Sequence, residues 1–181
     1  MQFDTRKIVL RDGRRAELRM AEAGDAEAMV KYLEDTAAET EFVLRYPEEC
    51  RYTVEKEREL LEGFRENPYS LFLTCYVEGE LAGNCELQLN PKMKTRHRAS
   101  VAIALYKRFW GLGIGTAMFN AMIRVAREKG VKQLELEYID GNARGRALYE
   151  KMGFVQVAEH PDAIMLKDGS MRKLIFMIKK L

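Results

Sequence analysis

Gly111, Gly113 and Gly115 alternate in the run Arg108-Phe109-Trp110-Gly111-Leu112-Gly113-Ile114-Gly115-Thr116. Glycine tolerates positive φ and places no Cβ between its amide and a ligand, so such a run can wrap its N–H groups around an anion. Where the run opens a helix, the unpaired N–H groups of the first turn and the positive end of the helix dipole add to that attraction. The flanking residues fit this use. Ser100-Val101-Ala102-Ile103-Ala104-Leu105 alternates large and small side chains, as a strand with one crowded face does. After the glycines, Ile114, Ala117, Met118, Ala121, Met122 and Val125 recur at helical spacing until Gly130 supplies a stop. Strand, glycine turn and helix together describe a cradle for phosphates.

Further along, Leu134-Glu135-Leu136-Glu137-Tyr138 alternates as a strand and Asp140-Gly141-Asn142 ends it. Asn142 is a good N-cap for the next helix, Leu148 and Met152 form its apolar stripe, and Gly153 stops it. Tyr149 falls in the second turn of that helix. Its phenol suits a proton donor, and its position equally suits a half-buried aromatic bonded locally.

Two common phosphate loops fit the glycines poorly. A P-loop needs Lys and then Ser or Thr after its last glycine, whereas Gly115 is followed by Thr116 alone. A dinucleotide fingerprint needs G-x-G-x-x-G; the spacing here is G-x-G-x-G, although Glu135 is within range of the acidic partner. The third reading is a resemblance. The run is similar to the coenzyme A pyrophosphate loop of the Gcn5-related N-acetyltransferases (GNAT), (Q/R)-x-x-G-x-(G/A), in two registers. In one, Arg108 leads Gly111 and Gly113; in the other, which agrees better with a Gly-Ile-Gly-Thr helix start, Trp110 stands at the Gln/Arg position before Gly113 and Gly115. Asn142-Ala143-Arg144-Gly145-Arg146-Ala147-Leu148-Tyr149-Glu150-Lys151-Met152-Gly153-Phe154 resembles the family's N-x-x-(A/G)-x-x-L-Y-x-x-x-G-F segment at every position.

The resemblance implies a fold and a set of roles. The fold would be a single α/β (α+β) domain over residues 1–181, with a mixed, mostly antiparallel sheet of about six to seven strands and helices on both faces. The Ser100 and Leu134 strands would splay apart, so that backbone groups of Ile103, Ala104 and Leu105 bind pantetheine. The amides of Gly111, Leu112, Gly113, Ile114, Gly115 and Thr116 would hold the pyrophosphate of acetyl-CoA. Asn142 would fix the helix start and the pantetheine arm, and Tyr149 would act as general acid on the departing thiolate. The acceptor would be a primary amine on a small molecule, polyamine or peptide, attacking directly, and a homodimer is compatible with the family. The segment from Thr36 to Arg51, with Glu39, Glu41, Glu48 and Glu49 beside Phe42, Tyr46 and Tyr52, would roof the acceptor pocket.

The general base is open among Glu86, Glu137, His97 and water, since each side chain also suits a solvated position. Two other function classes remain as alternatives: an acyl-CoA-binding regulatory module without catalysis, which has no need of Tyr149, and a dinucleotide-dependent oxidoreductase.

Composition agrees with one enzyme domain. The chain has 181 residues, 47% of them hydrophobic, and 30 basic against 28 acidic residues for a net charge of +2. That interspersed balance gives no electrostatic case for nucleic acid. No apolar stretch nears the roughly 20 residues of a membrane span, and no signal-peptide pattern follows Met1, so a cytosolic protein is expected. Cys50, Cys75 and Cys85 lack metal-ligand spacing and read as reduced core residues; with His97 and His160 alone, no metal is expected. Elsewhere, Asp12-Gly13, Glu78-Gly79-Glu80 and Asp168-Gly169 mark hairpins, Asp25 is placed to cap a helix through Leu33, and a second helix runs from about Thr53 to Phe64.

Overall fold

In a computed structural model that describes residues 1–181, the chain opens with β1 (Arg6–Val9) and β2 (Arg15–Met20), then α1 (Ala26–Glu39) and α2 (Val54–Glu66). Next come β3 (Ser70–Val77), β4 (Glu80–Leu89), β5 (Arg98–Leu105), α3 (Ile114–Glu128), β6 (Gln133–Ile139) and α4 (Ala143–Lys151). A long hairpin of β7 (Val155–Met165) and β8 (Met171–Lys180) closes the chain. All eight strands join one sheet in the order β1-β2-β3-β4-β5-β6-β8-β7. That is one strand more than the upper expectation, because the short β1 keeps its place by pairing all four of its residues with β2.

Local chemistry accounts for the turns. Glu78 and Gly79 take φ of 50° and 87°, the two-residue primed turn whose twist matches the flanking strands β3 and β4. Thr53 caps α2, its hydroxyl accepting the Lys56 N–H at 3.3 Å. Asp25 does something other than the expected capping of α1. Its carboxylate accepts Arg19 Nη1 and Nη2 at 2.8 and 2.6 Å, the Glu22 N–H at 2.9 Å and the Tyr76 hydroxyl at 2.7 Å. Burial opposes the charge, but the Arg19 guanidinium and these hydrogen bonds win and hold the Asp25 carboxyl below the usual range.

Strand β3 is buried on both faces, with α1 and α2 packed on one side of the sheet and α3 on the other. Phe64 of α2 stacks on Phe72 of β3 at 4.7 Å, and α3 buries Ile114, Met118, Ala121, Met122 and Val125 of the helical stripe read from the sequence, with Ala117 half-buried at its edge. Each of these side chains except Ala117 and Ala121 contributes about 1.5–3 kcal/mol on leaving water.

Two features of the sheet position the site. β5 and β6 run parallel but pair only at Arg98, Ala99 and Ser100 with Gln133, Leu134 and Glu135; beyond Ser100 the strands part. The β7–β8 hairpin is long, 11 and 10 residues, and its tip reaches the segment after α1. There the Lys167 N–H donates to Tyr46 Oη at 3.0 Å, while Lys167 Nζ pairs with Glu48 and sits 4.5 Å from the Tyr46 ring centroid.

Candidate active site

The glycine run bridges β5 and α3 through a short 3-10 turn at Lys107–Phe109. Gly111 and Gly113 take left-handed φ of 81° and 99°, and α3 begins at Ile114 with Gly113 as its N-cap. From Gly111 to Thr116, six consecutive amides have no hydrogen-bond acceptor within the chain, because the first bond inside α3 is donated further along. Gly115 serves packing rather than φ: a Cβ there would stand 2.8 Å from Leu148 Cδ2 of α4 and 3.6 Å from Ile103 Cδ1. Gly113 and Gly115 thus bracket the helix start. From the β1–β2 turn, the Arg11 N–H donates to Leu112 O at 3.1 Å and Arg11 Nη1 to Gly111 O at 3.2 Å, pinning the loop from outside.

A cleft of about 360 Å³ opens over these amides. Ile103, Ala104, Leu105, Gly111, Gly113, Ile114, Gly115, Thr116, Asn142 and Tyr149 all line it. Leu112 is the exception among the expected residues: its carbonyl is taken by Arg11 and its side chain packs on the core. Three of the six backbone groups expected from β5 are also occupied. Tyr106 donates to Ala82 O at 3.0 Å, so the antiparallel alternation turns the backbone groups of Ala104 toward β4 and those of Ile103 and Leu105 toward the gap. The Leu105 carbonyl then accepts Trp110 Nε1 at 2.9 Å. Both backbone groups of Ile103 and the N–H of Leu105 still face the gap. Arg108 turns away from the cleft to pair with Glu80 and lie over the Tyr106 ring.

Tyr149 is 8% exposed, its ring 5.8 Å from Phe119 and 5.5 Å from Tyr138. Burial, with a further push from Tyr138, raises its pKa to about 12, and no group of the chain bonds its hydroxyl. The phenol is therefore protonated at neutral pH, with its proton free for a ligand. Asn142 sets its helix: Oδ1 accepts the Gly145 N–H at 2.9 Å, the cap expected from the sequence.

A second cavity of about 610 Å³ adjoins the first at Thr40, Phe42 and Val43. Its walls are the segment from Ala37 to Glu49 and the hairpin tip from Ile164 to Lys167, with Ile139 and Lys107 between them. Extending the β5–β6 register past Ser100 and Glu135 sets Ile139 opposite Ala104, so the cavities meet where the strands part. Along the same face, Glu86 pairs across from Ala102, and Glu137 is in register with Ala102 from the other side. Glu86 is half-buried; burial raises its pKa, against a Ser70 hydroxyl bond at 3.4 Å. Glu137 is exposed, and His97 is exposed at the opposite end of β5 from the glycine loop.

The sequence reading missed Arg11, Arg144 and Lys151 in the cleft. Arg144, Leu148 and Lys151 follow i, i+4, i+7 spacing, a signal that could have put them on one face of α4. Arg11 carried no local signal, since only the folded sheet brings its turn to the loop.

Comparison with known proteins yields one family model: that of the acetyltransferase (GNAT) family matches residues 33–154. The ribosomal protein bS18-alanine N-acetyltransferase named in Bacillus subtilis is 29% identical over 89 residues, 49% of this chain. The chain spans 56% of that relative's length and 17% of a second curated relative's. Among solved structures, a GNAT-family acetyltransferase from Streptococcus pneumoniae superposes with a TM-score of 0.85 at 24% identity, over 92% of this chain and 99% of that one. YncA from Salmonella typhimurium, solved with its cofactor acetyl-CoA, superposes with a TM-score of 0.77 at 18% identity, over 92% of this chain and 94% of that one.

Proposed function

This chain belongs to the acetyltransferase (GNAT) family, and we propose that it transfers an acetyl group from acetyl-CoA directly to a primary amine through a ternary complex. The observation that carries this reading is one cleft lined both by six acceptor-free amides and by Tyr149, a buried ring whose hydroxyl has no partner in the chain. Bound acetyl-CoA supplies the acyl group already activated as a thioester. The amides from Gly111 to Thr116 receive its pyrophosphate, with Leu112 contributing only its N–H. Ile103 and the N–H of Leu105 receive the pantetheine arm as a strand edge would, steadied by Asn142. An N–H of that edge faces the thioester carbonyl and stabilises the negative charge that develops on its oxygen.

The bonds then balance. The amine nitrogen forms a bond to the carbonyl carbon as the carbon–sulfur bond breaks, Tyr149 gives its proton to the departing sulfur, and the amine proton leaves to a base. Glu86 is the base in this reading. Ala102 lies two residues, about 7 Å, along β5 from Ala104, beyond the ~3 Å of direct proton transfer, so Glu86 acts through water. The second cavity holds the amine. Two of its carboxylates are held by main-chain N–H groups, Glu39 by Lys107 at 2.8 Å and Glu49 by Tyr46 at 2.7 Å, and Glu41 lies beside them; with Arg45, Lys107 and Lys167 in the same lining, the pocket offers an amine local carboxylate contacts without a net negative charge. Three unpaired thiols, two of them buried, agree with a reaction in the cytosol.

An assay of free thiol released from acetyl-CoA across a panel of polyamines, aminoglycosides and peptides tests the reading. Amine-dependent release is expected. Donor binding without release from any amine would instead favour the acyl-CoA-binding regulatory module.

A further inference from the structure

The cations of the second cavity differ in how far they are paired. Lys167 is spent on Glu48, and Lys107 Nζ stands 5.9 Å from the Trp110 ring centroid. Arg45 has no carboxylate partner. Its Nε donates to Leu33 O at 3.3 Å and its Nη2 to Thr36 Oγ1 at 3.1 Å, so α1 holds the guanidinium through neutral oxygens. An arginine has five N–H donors, and those that remain are free. Glu57 of α2 feels this charge, but burial keeps its pKa raised and it forms no ion pair with Arg45. A half-buried guanidinium is thus left without its anion.

Its position gives that vacancy a use. Thr36, which Arg45 contacts, lines the donor cleft, whereas Arg45 itself lines the second cavity, so the guanidinium stands at the passage between them. Glu39, the last residue of α1, reaches the same passage. It precedes Thr40, which both cavities share, and the Lys107 N–H holds one of its carboxylate oxygens while the other has no partner. A cation and an anion therefore flank the place where an acceptor nitrogen meets the thioester. Further into the cavity the wall is apolar, with Val43, Ile139, Ile164 and Leu166.

We propose that the acceptor is a free α-amino acid with an apolar side chain, its carboxylate on Arg45, its ammonium beside Glu39 and its side chain against that wall. This deepens the acetyl-transfer reading and rests on it. A carboxylate one carbon from the amine can accept two parallel bonds from a guanidinium, the partner that the chain itself does not give Arg45. Glu39 attracts the ammonium before its proton is lost. The nitrogen then gains the acetyl group, its proton leaves to the base and coenzyme A departs with the Tyr149 proton, so the product is an N-acetyl amino acid. Polyamines and aminoglycosides bring only cations, which Arg45 repels, and a peptide N-terminus has an amide in place of the carboxylate.

Thiol release from acetyl-CoA is to be measured with valine, leucine, methionine and phenylalanine, each beside its amide and its decarboxylated amine. The amide is less basic than the amino acid and the decarboxylated amine more so, which brackets the effect of basicity. For the best of these amino acids, kcat/KM is expected to exceed that of both analogues by about 30-fold, the weight of a charge-assisted pair. Arg45→Gln should raise KM for that amino acid about 30-fold and leave the amide within about twofold. Arg45→Lys, which keeps the charge without the fork, should recover part of the loss. Equal efficiency for an amino acid and its amide overturns the proposal, as does a polyamine, aminoglycoside or peptide that outperforms all of these amino acids. An Arg45→Gln variant that weakens acid and amide in the same ratio overturns it too. Absence of release with every amine, despite calorimetric binding of acetyl-CoA, overturns the acetyl-transfer reading itself.

Discussion

The donor cleft and the amine-side cavity adjoin at Thr40, Phe42 and Val43 yet are built from different materials. The donor side uses main-chain groups at the ends of regular elements: the amides opening α3, the free edge of β5 and the capped start of α4. Its side-chain charges all have one sign. The amine side is walled by the segment after α1 and a hairpin tip, with carboxylates and cations intermixed. Backbone groups fixed by helices and strands recognise one ligand shape and resist drift, whereas side chains on connecting segments change without disturbing the sheet. One pocket is thus conservative in construction and the other adjustable.

Substitutions on each side should therefore fail differently. The largest effect is expected from Tyr149→Phe, which keeps the ring packing and removes the proton. Steady-state turnover should fall about 100-fold, while calorimetric affinity for acetyl-CoA changes less than about twofold. Unchanged turnover across a pH series would remove Tyr149 from the chemistry. Glu86→Gln comes next, with a loss of about 30-fold in kcat/KM, below the range for a directly placed base. Because a base must be ionised and burial raises the Glu86 pKa, the wild-type profile should rise through an inflection above the ordinary carboxylate range. The variant should lack that inflection. With Tyr149 near 12, no alkaline fall is expected below about pH 10.

Gly113→Ala must hold a Cβ at φ of 99°, a strain of about 1–2 kcal/mol. Donor affinity should weaken about tenfold if the strain is relieved by moving the loop, with the ranking of amines unaltered. The smallest effect belongs to the amine side. Lys167→Met breaks the pairing with Glu48 and the contact with Tyr46; KM for the amine should change about threefold, as for an exposed pair. An equal change in donor affinity would show that the two pockets are not separable.

The same division explains what could be read from the chain. The strand, glycine turn and helix were legible because each is written in consecutive residues, as was the segment from Asn142 to Phe154. The start of α2 near Thr53 and the stripe on α3 were legible for that reason too. Asp25 was misread because Arg19 and Tyr76, which divert its carboxylate, reach it only once the sheet has formed. Leu105 was counted as an open strand group because nothing in sequence tells where the Trp110 indole will point. Arg11 and the Lys167–Glu48 contact join residues about a hundred positions apart, so no local pattern encodes them. What escaped was mostly side-chain geometry supplied by distant elements.

Gly115 carries a last consequence. With a missing methyl as the only clearance between it and Leu148, α3 and α4 act as the fixed jaws of a calliper. The spacing of Thr116, Asn142 and Tyr149 is preset by helix packing rather than assembled around a ligand. A donor entering that gap needs little ordering of the chain, so most of its contact energy remains as affinity. A side chain at position 115 would reset the jaws and alter every donor contact at once.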